Sequence, residues 1–224
     1  VHLLSNAGQS AFKRGAFDEA YRWLTEAKSL ADQRSDDSAR PLILRDLGRI
    51  AFMRGRPADA LALFDEGLTS AQREQEVIAA QIMANMGMIN SEQGRTAEAR
   101  AWFERITSTW GAQQPHALSS EIQDVLQYVS TQLGNTAILE MDYAAADHHL
   151  QQALMQARNA NNPERMARSY LNLGALRYSQ RDFDGAWNYF TQGNVVAEHI
   201  QHGELLLWFM VNKGALKAIG GEYK

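Results

Sequence analysis

The stretch SYLNLGALRYSQRDFDGAWNYF, Ser169 to Phe190, decides the fold. Leu-Asn-Leu-Gly lies on an apolar helical stripe, and twelve residues beyond Gly174 a small residue, Ala186, sits inside a second stripe that continues to Phe190. Two helices joined by a tight turn through QRD read naturally from this spacing. The same register recurs along the chain. Glycines that follow an apolar stripe stand at Gly8, Gly48, Gly87, Gly134, Gly174 and Gly214, at spacings of 40, 39, 47, 40 and 40. Twelve residues after the first five come Ala20, Ala60, Ala99, Ala146 and Ala186, and four further on Leu24, Phe64, Phe103, Leu150 and Phe190. A small–small–large register kept five times is a repeat, and the opening stretch is its fifth copy.

Glycine inside a helix costs about 1 kcal/mol relative to alanine, so its recurrence requires a packing reason. Close approach of two antiparallel helices supplies one. The sequence predicts that each glycine faces the small Ala of the second helix, with Leu or Phe filling the flank. Gly15, Gly55 and Gly94 suit left-handed C-terminal caps of the first helices. Asp18 and Asp184 favour the starts of second helices through the helix dipole, and Asn162-Pro163-Glu164 reads as cap and first turn.

The pattern NLG…A…F, with the turn Gly15–Ala20 (GAFDEA), resembles the tetratricopeptide repeat, with a period near 40 rather than the usual 34, as in bacterial regulatory and peptide-sensing members. The resemblance covers essentially the whole chain. It implies an all-α, right-handed superhelical solenoid of five helical pairs near 2–33, 39–74, 77–111, 118–160 and 163–200, plus a last helix at 203–219. The 47-residue spacing places an insertion after the third pair, read as a hinge at 111–117 followed by a lengthened helix.

Composition agrees with an all-helical protein and narrows the chemistry. The 224 residues are 45% hydrophobic with only four prolines. A net charge of −4 argues against a general nucleic-acid binder, which needs a basic surface. Cysteine is absent, which removes disulfides, thiolate metal sites and cysteine nucleophiles, and fits a reducing, cytoplasmic setting. The first residues carry no basic stretch followed by a long apolar run, so no signal peptide is expected. The longest apolar run, Leu205 to Val211, is too short for a membrane span. No nucleophile elbow, phosphate loop or zinc-helix motif is present, so no enzyme and no cofactor is expected. His148 and His149 are adjacent and diverge on a helix; His199 and His202 share a face without a third ligand, so no metal is expected.

The resemblance further implies that the first helix of each pair lines a concave groove that takes a protein or peptide segment. Two residues before each register glycine stand Asn6, Asp46, Asn85, Gln132, Asn172 and Asn212, groups able to bond an extended backbone. Lys13, Arg45, Arg49 and Arg168 make this surface somewhat basic, and Phe52, Tyr128 and Tyr178 offer apolar anchors, so an acidic or amphipathic partner is expected. Arg45 and Arg49 have a second reading, as partners of acidic neighbours. Trp23, Trp102 and Trp187, on second helices, read as packing residues. The sequence stops where the second helix of a sixth pair would begin, which reads as a truncated chain or a disordered tail or, through Leu206, Trp208 and Phe209, as a candidate association surface for homodimerisation or a partner.

Overall fold

The structure, a computed structural model, describes residues 1–34, 36, 38–71, 75–113 and 117–219. Eleven α-helices and no strand occur among the described residues. The chain divides into two compact units, residues 1–112 and 113–224. Unit 1 contains α1 (His2–Lys13), α2 (Phe17–Arg34), α3 (Arg40–Met53), α4 (Pro57–Ser70), α5 (Glu76–Glu92) and α6 (Thr96–Trp110). Unit 2 contains α7 (Ser120–Leu139), α8 (Tyr143–Asn159), α9 (Pro163–Ser179), α10 (Phe183–His199) and α11 (Gly203–Ile219). At 20 residues α7 is the longest. Of the expected hinge at 111–117, residues 114–116 lie outside the described residues.

Within each unit, successive helices pair and the pairs stack. The register explains how. A Cβ added at Gly8, Gly48, Gly87, Gly134 or Gly174 would lie closer than 3.0 Å to Leu24, Phe64, Phe103, Leu150 or Phe190 respectively. This corrects the expected pairing: each glycine is a notch for the large residue, not a partner for the small one. The alanines Ala20, Ala60, Ala99, Ala146 and Ala186 are buried beside it and let the two backbones approach. The Leu or Phe side chain enters where another side chain would have stood, which is why the glycine and the large residue four past the alanine recur together.

The turns differ between the units. In unit 1, Gly15, Gly55 and Gly94 have φ of 76°, 71° and 74° and close each pair. Gly15 N–H donates to Phe12 O and Ala16 N–H to Ala11 O, both at 3.0 Å, the two bonds of a Schellman cap. Unit 2 keeps the same bonds with side-chain-bearing residues: Met141 donates to Ile138 O and Asp142 to Ala137 O. Met141, Asn161, Arg181 and Gln201 accordingly have φ of 59°, 47°, 60° and 54°. Unit 2 offsets that strain with side-chain N-caps absent from the helices of unit 1 whose caps are described. Asp142, Asn162 and Asp182 accept from Ala145, Arg165 and Gly185 N–H at 3.0, 3.1 and 2.9 Å. Asp182 thus caps α10, and Asp184 stands in its first turn, where a negative charge favours the helix start.

A left-handed conformation is unfavourable for any residue with a Cβ. Met141→Gly, at an exposed position, is expected to raise stability by about 0.5–1 kcal/mol, and Gly55→Ala to lower it by a similar amount. Urea denaturation followed by circular dichroism checks both. An unchanged midpoint for Met141→Gly would show that the turn is not strained.

Candidate protein-binding surface

In unit 1 the first helices α1, α3 and α5 are joined by a polar network around one carboxylate. Asp46 on α3 is only 3% exposed. Its Oδ1 accepts from Arg45 Nε at 2.9 Å and Nη2 at 2.7 Å, and its Oδ2 from Gln9 Nε2 of α1 at 2.9 Å. Arg45 Nη1 also donates to the side-chain oxygen of Gln81 on α5. Arg45 is thus bonded on two sides within unit 1, to Asp46 and to Gln81. Arg49 is placed differently. Its guanidinium lies 4.3 Å above the Phe12 ring and 3.8 Å from Asp46 Oδ1, with 42% of the side chain exposed. Partial burial pushes the Arg49 pKa down, Asp46 pulls it back up and Arg45 lowers it further. It remains a cation at neutral pH.

Around this network, Lys13 ends α1, exposed and without an ion pair among the described residues. Asn6 is exposed. Asn85 is half-buried and donates Nδ2 to Gln81 O, one turn back on its own helix, at 2.8 Å. Phe52 is half-buried against the Ala51–Ala60–Phe64–Ile82 cluster.

Unit 2 presents a second set. Tyr128, Gln132 and Asn172 are half-buried on α7 and α9. Arg168 pairs with Glu164 on its own helix, Nε to Oε1 at 3.1 Å, and both are exposed. Tyr178 is exposed and packs edge-on against Phe183, with centroids 5.8 Å apart. Asn212 donates Nδ2 to Trp208 O at 2.8 Å. Asn85 and Asn212 each spend one N–H on their own helix and keep the amide oxygen and second N–H.

The expected association surface needs a correction. Phe209 is 0% exposed: its ring fills the notch at Gly193 and packs on Phe190, with centroids 6.5 Å apart. Leu206 is half-buried on the same cluster. The large apolar side chains that α11 exposes are Leu207, Trp208, Met210, Val211 and Ile219. LLLWFMV is apolar around the whole helix, so the sequence has no polar face there to mark the outside and does not separate Phe209 from its exposed neighbours.

The tryptophans follow the packing reading. Trp23 and Trp102 pack on the cores of unit 1, and Trp187 lies beneath Lys213 and Lys217. His202 caps α11, its Nδ1 accepting from Leu205 N–H at 3.4 Å. Among the described residues no three His, Cys, Asp or Glu side chains converge as for a metal, and no helix is long and apolar enough to cross a membrane.

Two sequence models described as tetratricopeptide repeat match residues 1–73 and 79–110. No curated protein matches the chain in sequence. Among solved structures, BtubC (BKLC) from P. vanneervenii is similar at 20% identity and a TM-score of 0.72, over 98% of this chain and 85% of that one. The apo form of RapI aligns at 14% identity and a TM-score of 0.83, over 96% and 76%. A tetratricopeptide repeat protein from Parabacteroides merdae aligns at 16% identity and a TM-score of 0.65, over 99% and 73%. These likenesses are of fold, the all-α helical pairs of the tetratricopeptide class; the tetratricopeptide repeats matched in sequence support a protein-interaction scaffold in general. Together with the register of glycine, alanine and Leu or Phe, the matches show tetratricopeptide repeats over residues 1–73 and 79–110 of this chain.

Proposed function

We propose that the chain binds a segment of a partner protein on its first helices, without catalysis, and that in unit 1 the segment is acidic with a large apolar residue. Arg49 carries this reading. It is a half-exposed guanidinium braced on an aromatic face, and its nearest carboxylate is already bonded by Arg45 and Gln9. A cation so held keeps N–H donors for an incoming carboxylate and has lost much of its rotamer freedom beforehand. Lys13 adds exposed positive charge, and Phe52 offers an apolar side. Asn6 and Asn85 supply donors and acceptors for a backbone. In unit 2, Gln132, Asn172 and Asn212 do the same beside Tyr128, Arg168 and Tyr178. The lack of cysteine fits a cytoplasmic setting.

Selection of random displayed peptides on the purified chain tests this. The expected result is enrichment of sequences with Asp or Glu next to Leu, Phe or Trp. Their affinity should fall about tenfold or more in Arg49→Ala, the worth of one charge-assisted hydrogen bond. Neutral or basic winners, or equal affinity for wild type and Arg49→Ala, would refute it. The division into two compact units favours a second reading, a peptide-responsive regulatory module. Identical small-angle scattering profiles with and without a saturating selected peptide would remove that one.

A further inference from the structure

The ring beneath Arg49 comes from a different helical pair. Phe12 stands on α1, four residues after the register glycine Gly8, and Arg49 on α3, one residue after Gly48. Their contact, 4.3 Å from guanidinium carbon to ring centroid, therefore spans the first pair and the second. In later neighbouring pairs within a unit, the same two register positions hold Phe52 with Met88, Ile138 with Ala175 and Tyr178 with Ala215, none of which supplies a cation. The Phe12 ring is itself braced. Phe17, the first residue of α2, meets it edge-on with centroids 5.4 Å apart, across the turn that Gly15 closes. Phe12 also packs, half-buried, on the core shared by α1, α2 and α3. The first hairpin thus sets where the ring stands.

We infer that Phe12 is a positioning residue of the acidic-segment site, acting on the ligand through Arg49, an inference that rests on the reading of Arg49 above. The contact is not needed to tie α1 to α3, because Gln9 already bonds Asp46 and the two helices share a core. Asp46 does not fix Arg49 either. Its oxygens accept from Arg45 and Gln9 at 2.7–2.9 Å, whereas Arg49 Nη1 stands 3.8 Å away, beyond hydrogen-bond reach. Among the described residues Arg49 makes no side-chain hydrogen bond, so the ring is what holds this long, torsionally free side chain in place. A ring face attracts the cation without using an N–H, which leaves the donors for an incoming carboxylate. Rotamer freedom given up to the ring beforehand is not lost again on binding. The site is then composite: α1 supplies the platform and α3 the cation, and an acidic segment lies over the junction of the first two pairs.

The test is a double-mutant cycle on the full chain. Its probe is the tightest acidic peptide from the selection above, synthesised with a fluorescein label and titrated by anisotropy. Phe12→Leu keeps an apolar side chain but removes the ring face, and should weaken binding about three- to tenfold. Phe12→Tyr keeps the face and should stay within about twofold of wild type. In an Arg49→Ala background, Phe12→Leu should change nothing further. A ligand-free readout accompanies the cycle: NMR relaxation of the Arg49 Nε–H group should report an ordered side chain in wild type and a mobile one in Phe12→Leu. Equal affinity of wild type and Phe12→Leu would overturn the inference and leave the Arg49 reading in place. So would an equal loss from Phe12→Leu with and without Arg49, the mark of a merely structural role, or an Arg49 side chain as mobile in wild type as in Phe12→Leu. A selection that yields no acidic peptide, or an Arg49→Ala chain that binds as well as wild type, would remove that reading and this inference together.

Discussion

Phe190→Ala is expected to destabilise the α9–α10 hairpin by about 3–5 kcal/mol, the range for removing a fully buried ring. Phe190 is 0% exposed, and its ring occupies the Gly174 notch on one side and meets Phe209 on the other. Alanine would leave a void bounded by a glycine that has no side chain to collapse into it. Because two compact units need not unfold as one, the fitting measurement is native-state hydrogen exchange of α9 and α10 amides. Their protection should fall by roughly two to three and a half orders of magnitude. Val195→Ala, exposed on the same helix, should change it by less than about 0.5 kcal/mol. The notch makes a sharper claim. Gly174→Ala alone drives a Cβ into the ring and should cost about 1–3 kcal/mol. Gly174→Ala with Phe190→Ala should cost clearly less than the two separately, since the methyl enters vacated space and alanine restores helix propensity. Additive losses would show that glycine and ring are not one packing unit.

That coupling marks how far the sequence could be read. The repeat was legible because Gly, Ala and Leu or Phe return at fixed offsets, and a helical pair is a local structure. Which of the three touch was not legible: offset alone does not say that the ring, rather than the alanine, enters the notch. The turns of unit 2 were hidden for a related reason. Met141, Arg181 and Gln201 are unusual in the left-handed region, and only the Asp or Asn that follows Met141, Asn161 and Arg181 hints at the cap. On the surface proposed for binding, Asp46 sits in a column of amides and reads in the sequence as one more hydrogen-bonding group. Its burial depends on Gln9 and Gln81, which lie 37 and 36 residues from the partners they bond, and no local period reports such contacts. One signal was present: the only acid of the column stands between Arg45 and Arg49.

Asp46→Ala is accordingly the second large effect, an expected loss of about 3 kcal/mol, although the residue lies on the surface proposed for binding. The loss comes less from the bonds removed than from what they leave behind. Arg45, with only 14% of its side chain exposed, would keep its charge and Gln81 but no counter-ion, and Gln9 would lose its acceptor. Asp46→Asn separates charge from shape. It matches the amides at the equivalent positions Asn85 and Asn172, so any loss it shows, expected at about 1.5–3 kcal/mol, reports the missing charge. Replacing both members, Arg45→Met with Asp46→Leu, should be close to neutral, because a buried ion pair gains little over apolar groups of similar volume. Thermal denaturation of the three variants checks this order, and an Asp46→Asn as stable as wild type would mean that the carboxylate does not hold α1, α3 and α5 together. The same variant bears on binding with the opposite sign. Asp46 neutralises Arg49 from 3.8 Å, so its removal should tighten an acidic peptide selected on this surface while it weakens the fold. A variant that loses both stability and affinity would instead make Asp46 part of the ligand's own contacts.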